Sequence, residues 1–137
     1  MVKSIIVSTV INAPTGKVWE CWVKPEHLKG WCFASDDWEV GEVANDVRVG
    51  GHCSTEMRAK DGSAGFVFSG TYTEVEEGKS MSYRAEDGRL VSIVFEEVDN
   101  GVKMSETFEM EDENPEEMQR AGWQSILDNF KKYTEAV

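Results

Sequence analysis

The sequence predicts an α+β fold: a curved antiparallel sheet of about seven strands with one long carboxy-terminal helix laid across it. Two observations support this. From about Asp37 to Met110 the apolar residues alternate with a period of two, and turn pairs such as Asp61-Gly62, Asp87-Gly88 and Asn100-Gly101 punctuate the run. From Asn114 to Val137 the period becomes helical. Met118, Gly122, Trp123, Ile126, Leu127, Phe130 and Tyr133 then cover close to half the circumference, wider than the stripe of a simple surface helix.

The elements follow in order. Residues 3 to 12 alternate Ile5, Val7 and Thr9 against Ile6, Ser8 and Val10, which reads as a strand closed by Asn12-Ala13-Pro14. Pro14 begins a short helix through about Val23 with Val18, Cys21 and Trp22 on one face; Pro25 ends it by pushing Lys24 away from helical geometry. Residues 25 to 31 make a second helical turn, stopped by Gly30. Six strands are then expected: Trp38 to Gly41, Val47 to Met57, Gly65 to Val75, Met81 to Ala85, Leu90 to Val98 and Val102 to Met110. Gly41 to Asp46 reads as a turn, and the Asx-Gly pairs fit type I′ hairpins, whose two central residues both take positive φ. The final helix starts with Asn114 as N-cap, Pro115 in the first helical position, and Glu116 and Glu117 in the first turn.

Alternation also proposes an inward face for each strand. Cys53, Thr55 and Met57 share a side, as do Phe66, Phe68, Gly70 and Tyr72. Met81, Tyr83 and Ala85 follow, then Val91, Ile93 and Phe95, and finally Val102, Met104, Glu106, Phe108 and Met110. Methionine and aromatic side chains suit an adaptable apolar interior.

Composition narrows the function classes. With 26 acidic against 14 basic residues the formal net charge is −12, so nucleic acid and anionic membrane surfaces are poor partners. The start of the chain, Met1 to Val7, is neither a signal peptide nor a membrane span, and no later window reaches a spanning length of apolar residues. Cys21, Cys32 and Cys53 form an odd set without a C-x-x-C pair, which points to a reducing compartment, the cytoplasm. His27 and His52 have no further ligands at metal-binding spacing, and no phosphate-binding glycine loop or Ser-His-Asp arrangement is present. Neither a metal nor a cofactor is expected.

Several motifs, in this order, resemble a known family. They are Ile11-Asn12-Ala13-Pro14 with Val18-Trp19, Trp31 after the second short helix, Val49-Gly50-Gly51 leading to Met57, and Asp61-Gly62. Then come Phe68-Ser69-Gly70-Thr71-Tyr72, Met81-Ser82-Tyr83, and Gly122 to Phe130 on the last helix. The chain resembles the activator-of-Hsp90-ATPase-homologue type of the START/Bet v 1-like superfamily, the helix-grip fold. The resemblance implies a single domain over residues 1–137 whose sheet and long helix enclose a cavity for a small apolar or amphipathic molecule. Carried onto this chain, Trp31, Phe33 and Trp38 stand near the mouth. Met57, Phe66, Phe68, Tyr83 and Ile93 line the sheet, and Phe108, Trp123, Ile126 and Phe130 close the other side. The superfamily also contains carriers, cyclases and co-chaperones, so fold alone does not decide activity. The co-chaperone that names the family has a separate amino-terminal domain for which this chain is expected to have no room.

Glu106 is the candidate acid or base. On the apolar face of its strand a carboxyl is anomalous, and burial raises its pKa; a bulge or one-residue slip would instead turn it to solvent. Tyr83 and Trp123 have polar tips able to orient a ligand, whereas Arg84 and Arg89 read as surface charges. Glu109 to Asn114 reads as a solvated acidic loop facing the positive end of the helix, or as a docking site for a basic partner. The principal function expected is ligand binding without catalysis. The alternatives are a cyclase or lyase using Glu106, Tyr83 or water, and a chaperone-linked interaction module. The oligomeric state is a monomer or a homodimer, with Trp19 or Trp22 in the dimer contact if exposed.

Overall fold

The computed structural model describes residues 3–137; Met1 and Val2, which begin the amino-terminal stretch read above, lie outside the described residues. The elements are β1 (Ser4–Ile11), α1 (Thr15–Val23), α2 (Pro25–Leu28), β2 (Trp38–Asn45), β3 (His52–Ala59), β4 (Gly65–Glu76), β5 (Ser80–Ala85), β6 (Leu90–Val98), β7 (Gly101–Glu109) and α3 (Glu116–Ala136). The seven strands form one curled antiparallel sheet in the order β1-β7-β6-β5-β4-β3-β2. Strands β2 to β7 are a meander, and β1 joins its last member, pairing Ser4 with Glu109 through to Ile11 with Val102. The connection from β1 to β2 therefore spans the sheet from one edge to the other. It is made by α1 and α2, which close one end of the curl while α3 lies along its concave face, against β1 and α1. This is the helix-grip architecture.

The alternation is obeyed along β5 to β7. Met81 and Ala85, Val91, Ile93 and Phe95, and Val102, Met104 and Phe108 are all buried. In α1, Val18, Trp19 and Cys21 face the core, and Trp19 meets Phe95 edge-on with centroids 5.3 Å apart. Trp22 stacks on Trp31 at 4.8 Å, and both meet Phe130 edge-on. Trp19 is thus buried, and Trp22, partly buried, packs against the core.

Four local expectations are corrected. The segment Gly41 to Asp46 is not a turn: β2 runs on to Asn45 through an irregularity between Val40 and Val43, and Glu56 Oε1 accepts a hydrogen bond from the Glu42 amide at 3.1 Å. The turn comes later, where Gly50 takes φ 84° and the Gly50–Gly51 backbone bonds to Tyr72, so β3 begins at His52 rather than Val47. The hairpins are not type I′ either. Among the described residues only glycines have positive φ, Gly62 at 78° and Gly88 at 94°, so the preceding aspartates do not share it. Finally, Pro115 and not Asn114 is the N-cap of α3. Its backbone is extended and its carbonyl accepts from the Met118 and Gln119 amides, while the Asn114 side chain turns back to Glu111.

Gly30 does not terminate α2 through a left-handed conformation. It is small because α3 passes close by: a Cβ there would lie 2.8 Å from Tyr133 Cδ2. The Tyr133 hydroxyl in turn meets His27 Nδ1 at 2.7 Å, fastening α2 to the end of α3.

Candidate functional site

Between α3 and the concave sheet lies a hollow of about 370 Å³. The sheet contributes Cys53, Thr55 and Met57 from β3, Phe66, Phe68 and Tyr72 from β4, Met81 and Tyr83 from β5, and Glu106 from β7. The helix contributes Met118, Gln119, Gly122, Trp123 and Ile126. Trp22, Leu28, Trp31, Cys32 and the exposed Ala34 line it beneath and after α1 and α2. At the opposite end the lining includes Phe66 and Met118, which are 53% and 61% exposed, so there the hollow reaches the surface. Arg89, Glu111 and Asn114 stand at that rim.

The wall is organised by aromatic edges. Phe68 meets both Tyr83 and Trp123 edge-on, at 6.1 and 6.0 Å, which joins β4, β5 and α3 around the space. Trp123 also lies flat on Phe108. Polar groups in the wall are mostly engaged. The Tyr72 hydroxyl donates to Asn45 Oδ1 at 2.6 Å, and Asn45 Nδ2 donates to the Val23 carbonyl at 2.7 Å, so β4, β2 and α1 share one chain of bonds. Gln119, which is buried, accepts from the Glu111 amide and donates to the Glu111 and Asn114 carbonyls. The acidic segment before α3 is therefore anchored to the helix through its backbone, while Asp112, Glu113 and Asn114 stay exposed, as the solvated-loop reading expects.

Glu106 is the exception. No bulge interrupts β7, so its side chain keeps the inward face and is 6% exposed. Among the described residues it has no hydrogen-bond or ion-pair partner, and burial alone pushes its carboxyl up to about 8. Tyr83 likewise donates to no protein group and is raised well above the usual phenol range, by burial first and then by the nearby Glu106. The same two causes, in the same order, hold the Cys32 thiol at about 12. Tyr72 and Cys53 are raised chiefly by burial.

Of the residues expected around the site, Trp31, Met57, Phe66, Phe68, Tyr83, Glu106, Trp123 and Ile126 do border the hollow. Trp31 is 2% exposed, its indole N–H donating to the Cys21 carbonyl at 2.9 Å, so it lies deep in the wall rather than on the surface, where the exposed Ala34 borders the hollow nearby. Five others do not border it. Phe108 is screened by Trp123, and Phe130 is boxed by Trp22 and Trp31. Ile93, fully buried, sits between the longer side chains of Met81 and Glu106 on its neighbouring strands. Trp38 lies beside Phe66 at 5.9 Å, and the Phe33 carbonyl accepts a hydrogen bond from Asn129 Nδ2. Arg89, read as a surface charge, has a side chain only 21% exposed and pairs with Asp87 at the rim. Cys53, Thr55, Tyr72 and Met81 were legible as inward residues, whereas Met118 and Gln119 carried no signal beyond helical position.

The histidines stay apart: His52 is exposed and His27 is engaged by Tyr133. Among the described residues no helix is long and apolar enough to cross a membrane.

A hollow of this kind under the long helix defines the helix-grip class. Within that class the model of the family "Activator of Hsp90 ATPase homolog 1-like protein" matches residues 12–135, and the chain belongs to that family. An AHSA1-like protein from Aeromonas hydrophila, solved in solution, is 41% identical and superposes with a TM-score of 0.93, covering 98% of this chain and 93% of that one. A solution structure from Cytophaga hutchinsonii is 42% identical with a TM-score of 0.84, covering 97% and 92%. A crystal structure from Chromobacterium violaceum shares the fold at 24% identity and a TM-score of 0.86, covering 96% of each chain. No curated protein matches this chain.

Proposed function

We propose that the protein binds a small apolar or amphipathic molecule in the hollow between α3 and the sheet. The observation that supports this most directly is a space of about 370 Å³ walled by Met57, Phe68, Met81, Trp123 and Ile126 and reaching the surface beside Phe66 and Met118. Ligand sites of this type are concave, mainly apolar, and carry few polar groups. The volume accommodates a molecule of one to three rings, and Trp123 in the wall provides an intrinsic reporter. Titration with naphthalene-sized aromatic compounds is expected to quench tryptophan emission saturably. Native mass spectrometry of freshly purified protein is expected to show a bound small molecule. Filling the space with Gly122→Leu removes both signals if the reading holds; quenching that survives the substitution refutes it.

One observation favours a second reading, an acid–base enzyme of the cyclase or lyase kind. The Glu106 carboxyl, at about 8, is close to the working pH at which a general acid or base is most effective. In that case Glu106→Gln abolishes turnover and leaves ligand affinity nearly intact.

A further inference from the structure

The hollow contains two polar groups that the protein itself does not satisfy: the Glu106 carboxyl on β7 and the Tyr83 hydroxyl on β5. They lie on the same face of the sheet with β6 between them. In the register Tyr83 is opposite Val91, Val91 is opposite Phe108, and Glu106 is two residues along from Phe108. Both line the same apolar space, from positions two strands and two residues apart that the length of the tyrosine side chain helps to span. Among the described residues the buried side-chain polar atom without a partner is Thr134 Oγ1, so the Glu106 and Tyr83 oxygens are not sealed off but open onto the hollow, where whatever occupies it supplies their partner.

We infer that the ligand carries one uncharged oxygen acceptor, a ketone, aldehyde, ester or amide carbonyl, which the Glu106 carboxyl and the Tyr83 hydroxyl bind as donors at the floor of the hollow. This inference rests on the ligand-binding reading above and narrows it to a class.

Three observations select a neutral acceptor over a charged head. No cation faces Glu106: Arg89, the basic residue in the lining, stands at the rim and is held by Asp87 at 2.7 Å. A carboxylate in that setting would be desolvated without compensation, so the protonated form, a donor, prevails at neutral pH. An ammonium head would need both ions to be stripped of water for one pair, and such pairs often fail to recover that loss. An anionic head would have to pass Glu111 at the rim of a chain of net charge −12.

The proton on Glu106 should then control affinity. The titratable groups facing it or lining the same space are Cys32 from the loop after α2, Cys53 from β3, Tyr72 from β4, Tyr83 from β5, and Arg89 and Glu111 at the rim. The helix and β6 add none to the lining. Both thiols and both phenols are raised above their ordinary values, so none of them ionises in the interval where Glu106 does.

The test uses three probes of one shape on the full chain: 2-acetylnaphthalene, 2-ethylnaphthalene and 1-(2-naphthyl)ethylamine. Binding is read by tryptophan quenching. At about pH 6 the ketone is expected to bind about tenfold tighter than the hydrocarbon, and this advantage should shrink by about pH 9.5, where Tyr83 still donates but Glu106 does not. Glu106→Gln keeps an N–H donor, so it should retain the preference at both pH values. Glu106→Leu should show the smaller, pH-independent advantage at both, and Tyr83→Phe should reduce it. Tightest binding by the amine overturns the inference, as does equal binding of ketone and hydrocarbon; either leaves the hollow as the site. Binding of none of the three overturns the inference and the ligand-binding reading together. Circular dichroism of each variant separates lost affinity from lost fold.

Discussion

The indole of Trp123 lies flat on the ring of Phe108, with centroids 4.0 Å apart and planes within 10° of parallel. One face of the indole therefore belongs to the core, over a phenylalanine that is fully buried, and the other belongs to the hollow. The residue is both floor tile and wall. Replacing it tests where core ends and site begins.

Trp123→Ala is expected to destabilise the fold by about 3–4 kcal/mol, because it removes a large aromatic and leaves the Phe108 ring facing empty space. The hollow enlarges at the same time, so aromatic probes larger than naphthalene should gain affinity. Trp123→Phe preserves a ring over Phe108 and is expected to cost about 1 kcal/mol. Urea unfolding of the two variants measures the difference. Equal loss in both would show that the stack contributes little.

A second expectation concerns Gly30, where helix approach rather than backbone conformation excludes a side chain. A methyl there meets the ring of Tyr133, which must swing away and release His27. Gly30→Ala is therefore expected to cost about 1–3 kcal/mol. With Tyr133→Ala already in place, the obstruction is gone and Gly30→Ala should cost little or stabilise. The double-mutant cycle reads this coupling directly; additive costs would mean that the methyl is accommodated elsewhere.

How far these features could be foreseen depends on what kind of information each needs. Alternation along β5 to β7 is local, and it placed Met81, Tyr83, Val91, Ile93, Glu106 and Phe108 on the inward face correctly. Depth is not local. Whether an inward residue touches the hollow is decided by what lies over it: Trp123 covers Phe108, while nothing covers Glu106. The mouth was expected near Trp31 because short helices border the entrance in similar folds. Here Trp22, Trp31 and Phe130 pack together beneath the short helices, and the exposed lining residues are Ala34, Phe66 on β4 and Met118 at the start of α3. Turn positions failed for a related reason. Gly41 reads as a turn in sequence, but its missing side chain makes room for Glu56 within a continuous strand.

Gln119 is expected to control the rim. Its side chain makes three hydrogen bonds to the backbone of residues 111 and 114, at 3.1, 3.1 and 2.7 Å. Gln119→Leu fits the same space without those bonds and should destabilise by about 1–3 kcal/mol. The more specific sign is faster hydrogen exchange at the Glu111 amide, with the strands unchanged. Unaltered protection at Glu111 would show that the segment is held by Glu111 and Asn114 themselves.

Glu106 makes a prediction about stability that needs no ligand. Its carboxyl titrates near 8 in the folded protein and near its ordinary 4.5 in the unfolded chain. Below the lower value both states hold the proton and there is no penalty. Between the two, the unfolded chain has released the proton while the folded protein retains it, so stability falls as pH rises; above the upper value the loss is complete. Glu106→Gln cannot titrate, so its stability relative to the parent should climb across this interval and level off above it. The full rise amounts to at least about 2 and at most about 5 kcal/mol, the range allowing for water that enters the hollow and solvates the charge. Glu20, Asp61, Glu116 and Glu135 are shifted the other way, by Lys24, Ser63, Lys3 and the Asn12 amide respectively, and they lose their contributions as pH falls. These groups are common to parent and variant and cancel in the comparison. Urea midpoints measured for both proteins from about pH 4 to about pH 9.5 give the curve. A difference that stays flat would mean that Glu106 is ionised in the folded protein at neutral pH, and the floor of the hollow would then present an acceptor rather than a donor.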